Sequence, residues 1–228
     1  MANITIKRVG ELDGKCILAP ERYDLRRSVL GGENKPASTI MLSQIAEIIR
    51  QNFNPSSKGS AARKFVVLDT SDVREGLIVG RKSHLSGPEI GSAKKIFEKN
   101  DILISRLRPY LRQVAFVDKG FVSAAGDAEL ACSTEFYVLR STSNRPIGFL
   151  VPYLLSTPVQ EVLAASQEGG HHPRFDESVL LNLPIPEALI QHRDNCSDEI
   201  QQAAERYRES EILIQDNIKT ATALFTRN

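Results

Sequence analysis

The chain has 228 residues, which suits one substantial domain with room for an appendage. Hydrophobic residues make up 41% and charged residues 25%, a composition that excludes a fully disordered, collagenous or disulfide-scaffold chain. Lysine and arginine total 29 against 28 aspartate and glutamate, so the net charge of +1 gives the whole chain no preference for a polyanionic partner.

Targeting and redox features are few. The apolar runs are a handful of residues long, far short of the roughly 18 to 20 that span a bilayer, and residues 1–10 lack the apolar core of a signal peptide. We therefore expect a soluble, cytoplasmic protein with no membrane partner. Cys16, Cys132 and Cys196 are scattered and form no C-x-x-C pair, which favours buried reduced thiols over a disulfide framework or a structural zinc site.

The first predicted element is an amphipathic helix over residues 40–53, where apolar residues recur at helical spacing until Asn54 and Pro55 end it. Short runs rich in β-branched and aromatic residues then predict strands separated by Gly, Pro and Asp turns. These strands cover residues 64–68, 76–79, 101–105, 114–117 and 134–139.

Helical character returns over residues 149–166, with Pro158 placed in a first helical turn. Residues 167–175 (QEGGHHPRF) predict an exposed loop, and residues 176–181 a short helical turn. The Leu-Pro-Ile-Pro sequence at 183–186 imposes an extended segment, because proline cannot continue a helix. We place a domain boundary here, between residues 1–186 and 187–228.

Beyond this boundary the sequence contains no proline or glycine, and good helix formers predict one long helix over residues 187–225. Apolar and small residues recur along it at spacings of three, four or seven. This stripe comprises Ile200, Ala203, Tyr207, Ile214, Ile218, Ala221 and Phe225. Because an isolated helix gains most of its stability from packing, the stripe needs either a partner helix or the chain's own domain.

These elements predict an α+β fold, in which a globular domain of short strands with flanking helices precedes one long C-terminal helix. Charge divides along the same line. Residues 187–225 hold eight acids and four bases, a net charge of about −4, and the preceding part carries about +4. A modestly basic domain therefore carries an acidic helix.

Motifs for autonomous catalysis are weak. Residues 31–35 (GGENK) lack the spacing of a phosphate-binding loop, and residues 182–185 (NLPI) lack the aromatic residue of an amino-methyltransferase motif. Asp24 with Glu33 and Lys35 has the residue types of a metal-dependent nuclease, although the surrounding glycines and proline place the latter two in a turn. A nuclease is therefore the less favoured alternative.

The positive signal is cationic and follows the predicted strand at 101–105. Arg106, Arg108 and Arg112 surround Tyr110 in a proline-containing turn. Guanidinium groups suit phosphates and guanine edges, and the tyrosine suits a sugar or base. The same arginines would equally suit acids of the fold itself, so this cluster alone leaves both interpretations open.

Further basic or polar candidates for DNA contact fall in predicted loops. They are Arg81, Lys82, Ser83, His84, Lys94, Lys95, His171, His172 and Arg174. Each pair alone is ordinary surface charge. The two adjacent histidines point in divergent directions and have no third ligand at helical spacing, so a nucleic-acid-facing loop is favoured over a metal site.

Five segments stand in a fixed order ahead of the long helix. They are KFVVLDTSDVREG (64–76), KKIFEKNDILISRLRPYLRQVAFV (94–117), STEFYVLR (133–140), FLVPYLLSTPVQEVLAAS (149–166) and GGHHPRFDESVLLNLPIP (169–186). The ordered set resembles the specificity (S) subunits of type I restriction-modification systems, with one target-recognition domain followed by one conserved-region helix. The first 40 residues fit this family poorly.

The resemblance implies a non-catalytic DNA reader in a phage-defence complex. Each recognition domain of that family reads one half of a split duplex target, while long helices separate two domains and dock methyltransferase (M) subunits. It implies as partners duplex DNA, M subunits that carry S-adenosylmethionine and, where restriction follows, a restriction (R) subunit, with no cofactor on this chain. The segment from Arg106 to Arg112 matches the basic hairpin of the family.

This sequence has one domain and one helix where a full-length S subunit has two of each. The resemblance therefore implies a homodimer, in which antiparallel helices join two copies that read a palindromic split site. Two other possibilities stay open on the sequence: a stand-alone recognition module of a related system, and an interaction adaptor whose bases are paired internally and never meet DNA.

Overall fold

The computed structural model describes residues 6, 8–9, 39–55, 57, 62–169 and 172–225. The strands within them are β1 (Thr39–Met41), β2 (Ala46–Ile49), β3 (Asn52–Phe53), β4 (Lys64–Leu68), β5 (Val73–Arg74), β6 (Leu77–Ile78), β7 (His84–Ser86), β8 (Lys94–Ile96), β9 (Ile102–Ser105), β10 (Val114–Phe116), β11 (Glu129–Ser133), β12 (Phe136–Ser141), β13 (Gln167–Glu168), β14 (Arg174–Phe175) and β15 (Pro184–Pro186). The helices are α1 (Lys119–Ala125), α2 (Leu150–Leu155), α3 (Thr157–Ala165), α4 (Glu177–Leu181), α5 (Glu187–Gln191) and α6 (Arg193–Phe225).

Two larger sheets form the body of the described chain. The first joins β10, β9, β12 and β2 in that order, and each neighbouring pair is antiparallel. The second joins β3, β8, β11, β4 and β7, and its β11–β4 pair is parallel. Shorter two-stranded pairs join β1 to β15, β5 to β6 and β13 to β14.

Alternation along the strands gives the first sheet a hydrophobic core on each face. Ile102 and Ile104 of β9 pack with α2, α3 and α4, whereas Leu103 between them packs with the second sheet and α1. Phe136 and Val138 of β12 join the second of these cores. Successive side chains of a strand point to opposite faces, so a strand buried on both sides reads as a continuous apolar run.

The helix predicted over residues 40–53 is wrong. This segment forms β1, a 3₁₀ turn (Leu42–Gln44), β2 and β3. Ala46 and Ile48 are buried, and Glu47 between them is exposed, which is the period of a strand. The pairing of β2 with β12 and of β1 with β15 supplies long-range hydrogen bonds that override the helical spacing of the apolar residues.

The other predicted elements largely form. The strand at residues 64–68 is confirmed, those near 101–105, 114–117 and 134–139 shift by at most two residues, and that at 76–79 shortens to β6. The helix at 149–166 divides into α2 and α3, because Ser156 is extended and Pro158 lies in the first turn of α3. The side chain of Asp176 caps α4 by accepting a hydrogen bond from the amide of Ser178 (2.9 Å).

The long C-terminal helix forms after a break at His192 that separates α5 from α6. The 33 residues of α6 extend for about 50 Å. Its first part packs on the domain and buries Arg193, Ser197 and Ala204, whereas residues 212–225 are exposed throughout. The predicted α+β class with a long terminal helix is confirmed, and the division at residue 186 stays a prediction.

Candidate nucleic-acid interface

The hairpin between β9 and β10 ends in a tight, well-defined turn. A 3₁₀ turn (Pro109–Leu111) lies between Arg108 and Arg112, and both arginines adopt left-handed backbone conformations, with φ of 45° and 53°. Non-glycine residues adopt such conformations at a cost of roughly 1 kcal/mol or more, and they concentrate at functional sites. The turn leaves Tyr110 62% exposed.

A second loop joins this hairpin from more than 60 residues further along the chain. The Phe175 amide donates to the carbonyl of Arg106 (3.2 Å), and a β-bridge pairs Leu107 with Arg174. Tyr137 of β12 secures the same loop by donating its hydroxyl proton to the Phe175 carbonyl (3.0 Å). The two basic loops that the sequence presents separately therefore form one surface.

Glu135 holds the two loops together. Its carboxylate accepts hydrogen bonds from Arg106 Nε (2.8 Å), Arg174 Nε (2.9 Å) and Arg174 Nη2 (2.7 Å). The bonds from Arg174, and next those from Arg106, lower the pKa of Glu135 from its ordinary 4.5 to about 2. We call the surface formed by Arg106, Arg108, Tyr110, Glu135 and Arg174 the hairpin face.

Solved structures with the same fold belong to type I restriction-modification (R-M) systems. A type I R-M structure that addresses complex assembly and conformational transition superposes with a TM-score of 0.57 and 23% identity over 83% of this chain and 48% of that one. The HsdS subunit from Thermoanaerobacter tengcongensis gives a TM-score of 0.54 and 21% identity over 85% of this chain and 49% of that one. The chain has the HsdS fold.

The predicted resemblance to S subunits is thus confirmed at the level of fold. This chain spans about half the length of either solved structure. No protein-family model and no curated protein matches its sequence.

Within this HsdS fold, Arg108 and Arg112 differ in their surroundings. Arg112 forms an ion pair with Glu75 (3.3 Å between Nε and Oε1). Arg108 is exposed, and its side chain has no partner among the residues that the structure describes. Arg108 is therefore the most available cation of the hairpin face. Of the two predicted histidines, His172 is exposed beside it, and His171 lies outside the described residues.

The prediction that Lys94 and Lys95 are exposed loop residues is wrong. Both lie on β8, which β3 and β11 enclose, and both are buried. The Lys94 ammonium donates to Ser92 Oγ (2.6 Å), and that of Lys95 donates to the carbonyl of Phe136 (2.7 Å). Burial lowers the pKa of Lys95. These ammonium groups are already bonded inside the fold, so we omit both lysines from the hairpin face.

Residues 81–84 are associated with the helices rather than with the hairpin. Lys82 forms an ion pair with Asp72, and His84 Nε2 lies 3.1 Å from the Ala125 carbonyl of α1. Arg81 is exposed and lines a cavity of about 360 Å³ between α1 and α6. Ser83 is exposed in the same segment. The predicted DNA-binding role of this segment stays a prediction.

The predicted dimerisation stripe divides at residue 212. Ile200 packs against the chain's own core, and Tyr207 is partly buried and donates to Glu211 (2.8 Å). Ala203 is exposed, and its neighbour Ala204 is buried in its place. The remaining members are exposed on the projecting part of α6. They are Ile214, Ile218, Ala221 and Phe225. Ile212, Leu213 and Leu224 are also exposed there, but helical geometry places them on other faces of α6 than this stripe.

Two other site classes find no support in the part of the chain that the structure describes. It contains no group of three His, Cys, Asp or Glu side chains placed to hold a metal ion, and no described helix is both long and apolar enough to cross a membrane. Asp24, Glu33 and Cys16 lie outside the described residues. Cys132 is buried, which raises its thiol pKa to about 12, as expected for an inert core cysteine.

Proposed function

We propose that this chain is a non-catalytic DNA-recognition subunit of a type I-like restriction-modification or related phage-defence complex in the cytoplasm. It binds one half of a split target in duplex DNA and brings a partner adenine methyltransferase to that target. The methyltransferase supplies S-adenosylmethionine, and a restriction subunit joins where cleavage follows.

The observation that carries this proposal is the convergence of two basic loops on an HsdS fold. Arg108 and Tyr110 project from the hairpin turn, and Arg174 approaches from the second loop. Arginine forms bidentate hydrogen bonds with phosphates and with guanine O6 and N7, and tyrosine stacks on bases or packs on sugars. A turn that holds these groups outward suits recognition of DNA rather than catalysis.

The projecting part of α6 supports a second element of the proposal. Residues 212–225 expose Ile214, Ile218 and Phe225, and isolated amphipathic helices are stabilised mainly by packing. Pairing with the same segment of a second copy would bury this stripe and relate the two hairpin faces by a two-fold axis. The joined helices would then offer a docking surface for the methyltransferase.

Salt-dependent binding to a labelled duplex of randomised sequence tests the first element. Each protein cation that meets a phosphate contributes about −0.9 to the slope of log affinity against log salt. Arg108→Gln should weaken binding and make the slope shallower by about 0.9. Arg145→Gln removes the same charge from an exposed arginine beyond the far end of β12, where it pairs with Asp194, and should change neither quantity. An unchanged slope for Arg108→Gln would remove the hairpin from the interface.

Light scattering of the purified chain tests the second element. The wild-type protein should be a dimer, and Ile218→Glu should give monomers because it places a charge in the apolar stripe. Thr220→Glu is the matched control, since residues two apart lie on nearly opposite sides of a helix. A monomeric wild-type chain would contradict the dimer and leave the DNA-binding proposal to the first experiment.

A further inference from the structure

Glu135 is a carboxylate at the centre of a face otherwise suited to bind phosphates. It lies in the short connection between β11 and β12, where its amide donates to Ser133 Oγ (3.3 Å) and its carbonyl accepts from the amide of Arg106 (3.0 Å). The backbone therefore fixes the carboxylate between the two loops that it joins.

Two guanidinium groups converge on that carboxylate in a geometry that would equally receive a phosphate. Arg174 binds it in a bidentate manner through Nε and Nη2, and Arg106 adds a third hydrogen bond. Arginine recognises carboxylate and phosphate oxygens with the same paired N–H groups. The N–H groups that Arg106 and Arg174 direct at Glu135 are therefore a donor set that suits a phosphate as well as a carboxylate.

The cluster is also accessible from solvent. The side chains of Glu135, Arg106 and Arg174 are 22%, 34% and 40% exposed, so an incoming phosphate can reach the same N–H groups without unfolding either loop. When a phosphate takes the place of the carboxylate, the arginines keep the same number of ion pairs. Glu135 is then left unpaired beside a second anion, and the repulsion between the two makes the exchange unfavourable by itself. Additional contacts are then needed to make the exchange favourable.

We propose that Glu135 is a specificity-determining residue: it substitutes for a DNA phosphate in the free protein and releases Arg106 and Arg174 only when base contacts form elsewhere on the hairpin face. The inference rests on the proposed DNA-binding function. Its physical effect is to weaken binding to arbitrary DNA, because two potential phosphate contacts are withheld there. Discrimination against wrong sequences increases by the same factor.

Glu135→Gln tests the inference, because the amide keeps the shape and removes the charge. Affinity for a duplex of randomised sequence should rise about tenfold, and the salt slope should steepen by about 1 to 2 as two arginines meet phosphates. Sequences recovered by selection from the randomised pool should become less uniform than those bound by the wild type. Adding Arg106→Gln and Arg174→Gln to Glu135→Gln should abolish the gain.

Glu129→Gln is the matched control. Glu129 pairs with Arg63 through two hydrogen bonds at the start of β11, six residues from Glu135 and roughly 20 Å away along an extended chain. The substitution changes the net charge equally, so its affinity and salt slope should stay at the wild-type values. A gain of the same size in this control would show a general charge effect and overturn the inference.

Other binding results would contradict the proposed role of Glu135. Unchanged or weaker binding by a folded Glu135→Gln protein would reduce Glu135 to a structural brace. If thermal unfolding shows that this variant does not fold, Arg174→Gln replaces it. Its affinity for the randomised duplex should stay at the wild-type value, while its affinity for a selected duplex should fall. Equal losses of affinity for both duplexes would overturn the inference. A wild-type chain with no salt-dependent duplex binding would instead contradict the proposed function itself.

Discussion

Two clusters of arginine and carboxylate join distant parts of this chain, and they differ mainly in burial. Near the middle of α6, Arg208 Nη2 lies 3.0 Å from Asp118 Oδ2, with the carboxylate fully buried and the arginine side chain 13% exposed. At the hairpin face, Arg106 and Arg174 share Glu135 at similar distances but remain open to solvent.

The difference shows how one pairing chemistry serves two purposes. The guanidinium of Arg208 lies over the ring of Phe121 (5.4 Å) and also bonds Glu211, so it ties α6 to α1 through both a charge and a ring contact. Asp118 has a second structural role as the N-cap of α1, where its side chain accepts a hydrogen bond from the Phe121 amide (2.8 Å). The buried cluster fixes architecture, whereas the half-exposed one can exchange partners.

Asp118→Ala tests the buried cluster and should have the largest effect on stability. It leaves the buried Arg208 without its main counter-ion and uncaps α1, so the free energy of unfolding should fall by about 3 to 5 kcal/mol. Equilibrium denaturation in urea measures this loss. If the loss is no larger than that of an exposed ion pair, the cluster does not anchor α6.

A smaller loss is expected from Gly148→Ala, which tests how closely α6 lies on the domain. An added Cβ would stand 3.2 Å from Ser197 Cα, a backbone atom that cannot rotate away. Overpacking of this kind costs about 1 to 3 kcal/mol of unfolding free energy. Gly91→Ala has open space around it and should stay within about 0.5 kcal/mol of wild type in the same denaturation assay.

The half-exposed cluster should contribute less, and its contribution should depend on pH. Because the folded-state pKa of Glu135 is lowered from 4.5 to about 2, its ion pairs stabilise the fold above about pH 4.5 and are lost as pH falls towards 2. Solvent screening limits this contribution to about 1 kcal/mol. Wild type should therefore be more stable than Glu135→Gln by about 1 kcal/mol throughout pH 5 to 7, and this difference should shrink below pH 4. A difference that grows on acidification would contradict this assignment.

The smallest effect on the free energy of unfolding is expected for an ion pair that is fully at the surface. Asp194 and Arg145 pair at 3.2 Å with both side chains more than half exposed. Asp194→Asn should change the free energy of unfolding by less than about 0.5 kcal/mol. A clearly larger loss in urea denaturation would mean that burial does not rank these pairs.

Much of the fold was predictable from local patterns. Continuous apolar runs such as residues 101–105 gave correct strands because both faces of β9 are buried, and Pro158 lies, as predicted, in a first helical turn, that of α3. The helix prediction for residues 40–53 failed because this segment pairs with β12 and β15, which are far away in sequence. No local period reveals such pairing.

The candidate site was only partly predictable, and for a related reason. The basic hairpin was recognisable by composition, but its contact with residues 172–175 depends on tertiary structure. Glu135 gave no signal, since a single acid near the start of a predicted strand resembles any surface residue. Lys94 and Lys95 misled because two adjacent lysines usually indicate an exposed loop, whereas here their ammonium groups bond within the fold.

The left-handed conformation of Arg108 has a consequence for engineering. Glycine adopts a φ of 45° without steric cost, so Arg108→Gly would relieve roughly 1 kcal/mol of backbone strain and still form the same turn. A screen for thermal stability alone would therefore favour glycine at this position and discard the most available cation of the hairpin face. Stability and recognition place opposing demands on this residue, and arginine is the choice that a DNA-binding role explains.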